Sequence, residues 1–514
     1  MESHKNIAKA AGIISLATIF CRIAGLGREV VTANFFGTAL VYDAFLIAFM
    51  IPNFFRGLFA EGALSTAFIP VFTGYVTTKE KKETERIASI GFTLSFVATS
   101  SLVILSILGI FIFSHFFHFS TKVTLILRLL KITLPYLILI SLAAIAMGIL
   151  NSYQHFATPA FAPIMLDLCW IGAIFLLCPL FGESIEKRIF GLAVGVLIGG
   201  LGQFLIQWPI LKKRKLKLRF NLNFRHPAIK RMVILLAPSV IGVAVTPINI
   251  LVDSLLAIRL GEGMVSSLWY ANRLMQLPLG IFGVAMATAT LPTLSAYFAQ
   301  GELKKLKETL SFALRNVLFI IIPASVGLIL LRRPIISLLF QRGLFNATSA
   351  ENTAFALLFY AIGLFAYAAS IIVVRGFYSI QDTKTPVKVG LLSILANIVL
   401  DLILMGPLRQ GGIALSTSFV GMINLGILSF ILGKRLKGLD GRKILSSTLQ
   451  TLLISGLMGI LVWSSLLFCQ GTKILILRNR FALVFIPAII GIGFYLLFSY
   501  LWGREEMRSY RRRE

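Results

Sequence analysis

Charged residues are scarce in this chain of 514 residues, and acidic ones are the scarcest. Only 14% of the residues are charged, whereas soluble domains carry about a quarter. Hydrophobic residues make up 57% of the chain, and the mean hydropathy is +0.88. Apolar runs of about twenty residues recur from end to end, each long enough to cross hydrocarbon as a helix. The composition excludes an ordinary soluble domain and predicts an all-α polytopic membrane protein.

Catalytic and metal-binding signatures are also missing. The four cysteines, Cys21, Cys169, Cys178 and Cys469, are scattered in or beside apolar segments without a CxxC pair, which argues against a disulfide framework or a thiolate metal site. The five histidines lie near predicted helix ends or in loops, and neither HExxH nor a Walker A motif is present. We therefore expect no enzyme, and no cofactor other than a coupling ion, for which sodium and a proton are both open.

The apolar runs predict about fourteen transmembrane helices. Their expected ranges are roughly 10–34, 39–76, 86–114, 122–150, 158–180, 189–211, 230–258, 265–297, 308–331, 350–379, 386–406, 411–433, 445–468 and 481–503. The second, eighth and tenth are long. Pro52, Pro70, Pro278 and Pro292 predict kinks in the second and eighth.

Positive charge predicts the orientation. The net charge is +28, and most of the basic residues fall in alternate loops, such as "KEKKETER" and "KKRKLKLRF". The positive-inside rule then places both termini in the cytoplasm. Basic loops at a membrane surface meet anionic lipids, so we expect membrane lipids and no nucleic acid as partners.

Two segments repeat. In "STAFIPVFTGY" (65–75) and "ATATLPTLSAY" (287–297), Thr, Ala, Pro and Tyr recur at a constant offset. This pattern favours two six-helix lobes with a substrate site between them. We predict an N-terminal lobe at 1–211, a basic cytoplasmic linker at 212–229 and a C-terminal lobe at 230–436. Two further helices and a basic tail are predicted at 437–514.

Charges inside the predicted spans are the first candidate site. The arginines are Arg22, Arg28, Arg56 and Arg273, and the carboxylates are Glu29, Asp43, Glu61, Asp167, Asp253 and Asp401. A charge at membrane depth costs at least about 2.5 kcal/mol. Because guanidinium donates bidentate hydrogen bonds to phosphate, the arginines predict a cleft that selects an anion. The alternative is that these charges pair with one another or lie near an interface.

The segment "CRIAGLGREV" holds two glycines between Arg22 and Arg28. Gly25 and Gly27 permit a bend or local unwinding that would turn both arginines toward one cavity. The alternative is close helix packing through small residues. The sequence leaves both interpretations open.

A second candidate site is rich in oxygen ligands. Asn397 and Asp401 are spaced i, i+4 on one predicted helix, and Asp253, Thr417 and the carbonyl near Ile413 could join them. Such oxygens suit a hard cation or a proton. The alternative is a structural polar network.

Five segments together resemble the MurJ (MviN) family, within the multidrug/oligosaccharidyl-lipid/polysaccharide exporter superfamily. They are "CRIAGLGREV", "YDAFLIAFMIPNFFRGLFAEGALSTAFIPVF", "YANRLMQLPLGIFGVAMATATLPTLS", "RRPIISLLFQRGLF" and "RGFYSIQDTKTPVKVG". The resemblance covers essentially the whole chain. It implies a cationic cavity lined by the four arginines, with Asp43 and Glu61 as further members. It also implies a sodium site in some relatives, whose pattern matches Asp253, Asn397, Asp401 and Thr417.

The resemblance further implies a function. Such a protein would move lipid II, the undecaprenyl-diphosphate-linked muropeptide, from the inner to the outer leaflet of the bacterial inner membrane by alternating access. The cell-wall synthesis machinery is a further expected partner. Two alternatives stay open: a flippase for another polyprenyl-diphosphate-linked glycan, and a cation-coupled drug exporter, whose cavity should be acidic or neutral.

Overall fold

The structure is a computed structural model that describes residues 2–57, 63–214, 216–472, 474, 477, 479–502, 504 and 506. Side chains are described for these residues except 2–11, 13–15, 63–66 and 236–243. Across the described residues the chain is helical and contains no strand. The predicted all-α class is therefore confirmed.

Eighteen α-helices follow one another along the described chain. They are α1 (Glu2–Phe36), α2 (Leu40–Arg56), α3 (Ala63–Thr78), α4 (Lys81–Phe116), α5 (Thr121–Thr133), α6 (Tyr136–Ser152), α7 (Ala157–Leu176), α8 (Ile185–Leu205), α9 (Trp208–Lys213), α10 (Pro227–Ala257), α11 (Met264–Pro278), α12 (Val284–Ala299), α13 (Leu303–Leu339), α14 (Ala347–Ser379), α15 (Lys384–Leu408), α16 (Gln410–Arg435), α17 (Gly441–Gly471) and α18 (Arg480–Leu501). Short 3-10 turns at Cys178–Phe181 and Ile258–Leu260 follow α7 and α10.

Eleven stretches of the described chain are long and apolar enough to cross a membrane. Each coincides with one of the fourteen predicted spans. The other three predicted spans coincide with α1, with α2 and α3, and with α10. The helix order is consistent with fourteen crossings.

Proline explains two places where the structure departs from single predicted helices. The range 122–150 was expected to be one helix, but it divides into α5 and α6 at Leu134 and Pro135, because proline has no amide hydrogen to continue the helical bonding. The eighth predicted helix divides into α11 and α12 around a π-helical segment, Leu279–Gly283, directly after Pro278. This interruption agrees with the kink that Pro278 predicts.

Two compact units divide the chain, Met1–Leu255 and Leu256–Glu514. The division falls within α10, because Ala228, Ile229 and Met232 at its start pack into the core of the first unit. That core also takes apolar side chains from α3, α4, α6 and α9. The predicted lobe and linker ranges remain predictions.

The second unit has a core in which α13, α17 and α18 meet. Phe319, Met458 and Tyr495 belong to it, and the Tyr495 hydroxyl donates to the Phe319 carbonyl at 2.6 Å. Beyond the end of α18, Glu506 pairs with Arg315 of α13 at 3.1 Å and with Arg504 at 3.2 Å. Glu506 is thereby tied to α13, and Arg504 also donates to the Ser447 carbonyl of α17 at 3.0 Å.

Helices in the two halves of the chain begin at about the same offset as the two repeated sequence segments. Helices α3 and α12 each have 16 residues, at Ala63–Thr78 and Val284–Ala299. The helices that follow them, α4 and α13, have 36 and 37 residues and begin at Lys81 and Leu303. The spacing of about 222 residues therefore extends beyond the short matching segment.

Candidate functional site

One face of α1 packs against α7 in the first unit. Cys21, Gly25, Arg28 and Thr32 are spaced four, three and four residues apart, so they share one side of the helix. The Cys21 thiol contacts the Ala160 carbonyl of α7 at 3.6 Å. A Cβ added at Gly25 would lie 3.8 Å from an Asp167 carboxylate oxygen. The two helices thus approach along the face that carries Arg28.

Arg28 lies between two carboxylates. Its Nη2 pairs with Oε1 of Glu29 at 2.5 Å, and its Nη1 pairs with Oδ1 of Asp167 at 2.9 Å. Arg28 is 5% exposed and Glu29 is 1% exposed. A buried guanidinium is tolerated only when it is paired in this way. The pairing that the sequence left open as an alternative is what the structure shows for Arg28.

Trp170 and Thr32 hold this ion cluster in place. The guanidinium of Arg28 stacks over the Trp170 ring, with its central carbon 4.7 Å from the ring centroid, a favourable cation–π geometry. The indole Nε1 donates to the Thr32 hydroxyl at 3.0 Å, and that hydroxyl donates to the Arg28 carbonyl at 2.7 Å. Behind Trp170, the rings of Phe45 and Phe49 pack edge-on at 5.1 and 5.3 Å. These aromatic side chains of α2 and α7 keep water from one side of the cluster.

The glycines of the first motif do not unwind α1. The helix runs continuously from Glu2 to Phe36, so the interpretation of local unwinding at Gly25 and Gly27 is wrong for this structure. Gly25 lies against α7, as the packing interpretation expects, whereas a Cβ at Gly27 would meet nothing within 4 Å.

The other predicted members of the first site lie on separate elements of the first unit. Arg22 on α1 and Arg56 at the end of α2 are half-buried. Asp43 is fully buried in the first turn of α2, where the helix dipole favours a carboxylate. Glu61 falls outside the described residues.

Arg273 belongs to the second unit, on α11. Its guanidinium stacks over the ring of Trp269, one turn earlier, at 4.6 Å from the centroid. The neighbouring Tyr270 is buried and packs against Phe340 and Phe345 at 5.1 and 5.4 Å. A rigid aromatic base therefore supports the helix turn that carries Arg273.

The oxygen-rich candidate site is assembled by α15 and α16. Asn397 donates from Nδ2 to Oδ2 of Asp401 at 2.9 Å, and both residues are buried. Ser416 donates to the Asn397 carbonyl at 3.2 Å. A Cβ at Gly412 would lie only 2.1 Å from the Leu404 carbonyl oxygen, so glycine is required for this close approach.

Thr417 and Ile413 complete that arrangement on α16. The Thr417 hydroxyl donates to the Ile413 carbonyl at 2.9 Å, and the Tyr367 hydroxyl donates to the Thr417 carbonyl at 2.7 Å. Asp253, on α10, belongs to the first unit and is 7% exposed. The structure thus brings Asn397 and Asp401 together and packs the Ile413–Thr417 helix beside them.

The donor set of α15 and α16 suits a hard cation. A carboxylate, an amide oxygen, a carbonyl and a hydroxyl are the ligand types that such ions take. Within the described part of the chain, no group of three or more His, Cys, Asp and Glu side chains could hold a metal ion. Asp401 is the one carboxylate among the described residues of this cluster of α15 and α16, and the cluster's other oxygens are neutral.

Sequence reasoning did not identify several residues that shape these sites, namely Thr32, Trp170, Tyr367 and Ser416. Trp170 follows Asp167 by three residues, which places both on one side of α7. That spacing was the available signal for Trp170. For Thr32, Tyr367 and Ser416, the hydrogen bonds depend on how separate helices pack, and no local sequence pattern predicts them.

The apolar helices long enough to cross a membrane define a multi-pass membrane protein, and buried charges among such helices are typical of transporters. The family model described as "Lipid II flippase MurJ" matches residues 32–481 of the chain. The probable lipid II flippase MurJ of Vibrio cholerae is 37% identical over 437 residues, which cover 82% of each protein. The lipid II flippase MurJ of Burkholderia cenocepacia is 32% identical over 446 residues, covering 84% of this chain and 85% of that one. The chain therefore belongs to the MurJ family of lipid II flippases.

Solved structures agree with this assignment. A lipid II flippase MurJ in an inward closed conformation matches with a TM-score of 0.79 at 30% identity, covering 96% of this chain and 99% of that chain. An inward-facing MATE family transporter of the MOP superfamily matches with a TM-score of 0.66 at 16% identity, covering 84% and 99%. The second likeness concerns the fold alone. The family is one of transporters and not a catalytic family.

Proposed function

We propose that this protein translocates lipid II from the inner to the outer leaflet of the bacterial inner membrane by alternating access. Membership of the MurJ family supports the substrate. The observation that carries the chemistry is Arg28, a buried guanidinium held by Glu29 and Asp167. Arginine at membrane depth is costly, and a diphosphate is the natural anionic partner for its fork of donors.

Four arginines would bind the diphosphate and nearby anionic groups of the substrate: Arg22, Arg28, Arg56 and Arg273. Asp43 and Glu61 are proposed as further members of the same site. For Arg28, the substrate competes with Asp167 and Glu29 for the same guanidinium. A ligand shifts a conformational equilibrium only if it binds one state better than the other. A state in which the diphosphate replaces Asp167 or Glu29 on Arg28 would bind the substrate better than a state in which the carboxylates stay paired.

A coupling cation is proposed at the oxygen-rich site. Asp401 and Asn397 would hold it with the Ile413 carbonyl and the Thr417 hydroxyl, and Asp253 is the remaining proposed ligand. A bound cation, sodium or a proton, would neutralise the buried Asp401 carboxylate. The side chain of Asn397 orients Asp401 through the 2.9 Å hydrogen bond. Membrane potential, worth about 2.3 kcal/mol per charge per 100 mV, is an alternative source of energy.

The test is complementation in cells depleted of their own flippase. Arg28→Ala and Arg273→Ala should abolish growth and prevent lipid II from reaching the outer leaflet, measured by labelling of externalised precursor. Arg259→Ala is the matched control, because Arg259 is exposed. Immunoblotting must show equal protein in the membrane. Normal externalisation with both variants would refute the role of the arginines.

The precursor that accumulates on depletion separates the remaining candidates. Accumulated lipid II supports the proposal, whereas another polyprenyl-diphosphate-linked glycan would reassign the substrate within the same chemistry. Transfer of drug resistance without a lipid phenotype would favour a drug exporter. Contact with the cell-wall synthesis machinery stays a prediction.

A further inference from the structure

A cavity of about 800 Å³ lies in the second unit, among α13, α14, α16 and α17. Its walls are almost entirely apolar and include Leu314, Leu318, Leu425 and Ile444. Ligand pockets in proteins measure roughly 300–1,000 Å³, so this cavity is large enough for a small molecule or for one hydrocarbon chain of a lipid. It contains none of the residues assigned above to substrate or cation.

One end of this cavity is basic. Lys434 lines the cavity directly, and the segment from Lys434 to Lys443, "KRLKGLDGRK", holds five basic residues and one acidic residue. Arg435 is already paired with Asp382 at 2.6 Å. Lys434 is exposed and takes part in no ion pair within the described residues. The apolar cavity thus ends at an ammonium group that can accept an anionic partner.

The length of the cavity matches one leaflet of a bilayer. Its lining on α16 extends over the ten residues from Leu425 to Lys434, and the nine steps between them rise about 14 Å at 1.5 Å each. The hydrocarbon core of a bilayer is about 30 Å thick, so the cavity spans about half of it. Phe430 is 74% exposed and Leu445 is 60% exposed, so one side of the cavity is bordered by exposed apolar side chains, as a surface facing lipid would be.

We propose that this cavity binds a phospholipid with an anionic headgroup. One acyl chain lies along the leucine-lined wall, and the headgroup phosphate pairs with Lys434. The charge selects an anionic headgroup over a zwitterionic one, because a basic side chain at an anionic surface contributes about 1 kcal/mol. A polyprenyl chain is much longer than one leaflet is deep, so the cavity length favours an acyl chain.

Native mass spectrometry of the detergent-purified full chain tests the site. The protein is titrated with phosphatidylglycerol or phosphatidylcholine, and bound lipid is counted. Lys434→Gln should weaken phosphatidylglycerol binding about fivefold, the equivalent of about 1 kcal/mol. Lys304→Gln is the matched control, because Lys304 is also exposed but lies outside the cavity.

A cavity-filling variant gives an independent readout. A Cβ at Gly433 would meet Leu439 at an ordinary 3.7 Å, so Gly433→Leu should fold and place its side chain in the space of the acyl chain. We expect it to remove the bound phospholipid. Equal binding of both lipids, unchanged binding in Lys434→Gln and Gly433→Leu, or preferential displacement by a polyprenyl phosphate would each overturn the proposal.

Discussion

At the scale of single residues, Arg28 shows how a charge persists at membrane depth. Two carboxylates neutralise it, the Trp170 ring covers one face, and Thr32 orients the indole. Each contact replaces part of the hydration that the guanidinium loses. In the proposed function, a diphosphate would have to displace these contacts to bind Arg28.

Removing one carboxylate tests this account. Asp167→Asn keeps the shape of the side chain and an oxygen that can accept from Arg28, but it removes one of the two negative charges beside the guanidinium. A hydrogen bond to a charged group contributes about 1.5–3 kcal/mol, more than one between neutral groups. We expect a lower thermal unfolding midpoint for the purified protein in detergent. The control is Glu302→Gln, which removes an exposed ion pair with Lys305 and should have little effect. An unchanged midpoint for Asp167→Asn would contradict the assigned role.

At the scale of helices, glycine decides how closely α15 and α16 approach. The position of Gly412 leaves no room for a methyl group beside the Leu404 carbonyl. This contact sets the distance between the helix that carries Asp401 and the helix that carries Thr417. The geometry of the oxygen-rich cluster therefore depends on Gly412, which is not among the proposed ligands.

Gly412→Ala should destabilise the protein by about 1–3 kcal/mol, because overpacking forces the two helices apart. Gly426→Ala is the matched control on the same helix, since a Cβ there meets nothing within 4 Å, and it should be neutral or slightly stabilising. Thermal unfolding of both variants provides the comparison. Equal midpoints would show that α15 and α16 do not pack as described.

An ion pair between Asp382 and Arg435 joins the loop between α14 and α15 to the end of α16. Burial raises the pKa of the Asp382 carboxyl, but hydrogen bonds from Thr385 and the positive charge of Arg435 outweigh it and hold the pKa below the usual 3.8. The folded state thus binds this proton less readily than the unfolded state. The stabilisation is present above about pH 4 and is lost as the pH falls below it.

Asp382→Asn should therefore lower the thermal midpoint near neutral pH and reduce its fall between about pH 6 and about pH 3. The midpoint is measured across that range for both proteins. Glu351→Gln is the control, because its ion pair with Arg333 is exposed. Parallel curves for wild type and Asp382→Asn would exclude this contribution.

At the scale of the whole molecule, the distribution of basic loops predicts how the chain is oriented in the membrane. The positive-inside rule places the linker after α9 in the cytoplasm and the turn between α7 and α8 on the other side. Both stretches hold exposed residues, Lys217 in the linker and Glu183 in the turn. Their accessibility to a reagent that cannot cross the membrane tests the orientation directly.

In a variant without the native cysteines, Glu183→Cys should react with a membrane-impermeant maleimide in intact spheroplasts. Lys217→Cys should react only after the membrane is permeabilised. Labelling of Lys217→Cys in intact spheroplasts, with Glu183→Cys protected, would reverse the predicted topology. Equal membrane levels of both variants are the necessary control.

The sequence by itself determined the fold class, the eleven apolar segments that the described structure shows as helices long enough to cross a membrane, and the charged residues that stand out among apolar ones. Hydropathy is a local property, so a charge such as Arg28 or Asp401 stands out within an apolar run. Pro278 in the sequence predicted the interruption between α11 and α12, whereas the break between α5 and α6 at Pro135 was not predicted. The motifs also identified the family, which the comparisons confirmed.

Only the tertiary structure decided which partner each charge takes. Arg28 and Asp167 are 139 residues apart, and their pairing follows from the packing of α1 on α7, not from any local pattern. The same holds for Trp170 on Arg28 and for Ser416 beside Asn397. The physical reason is that helix formation depends on neighbouring residues, whereas buried ion pairs depend on which helix faces meet.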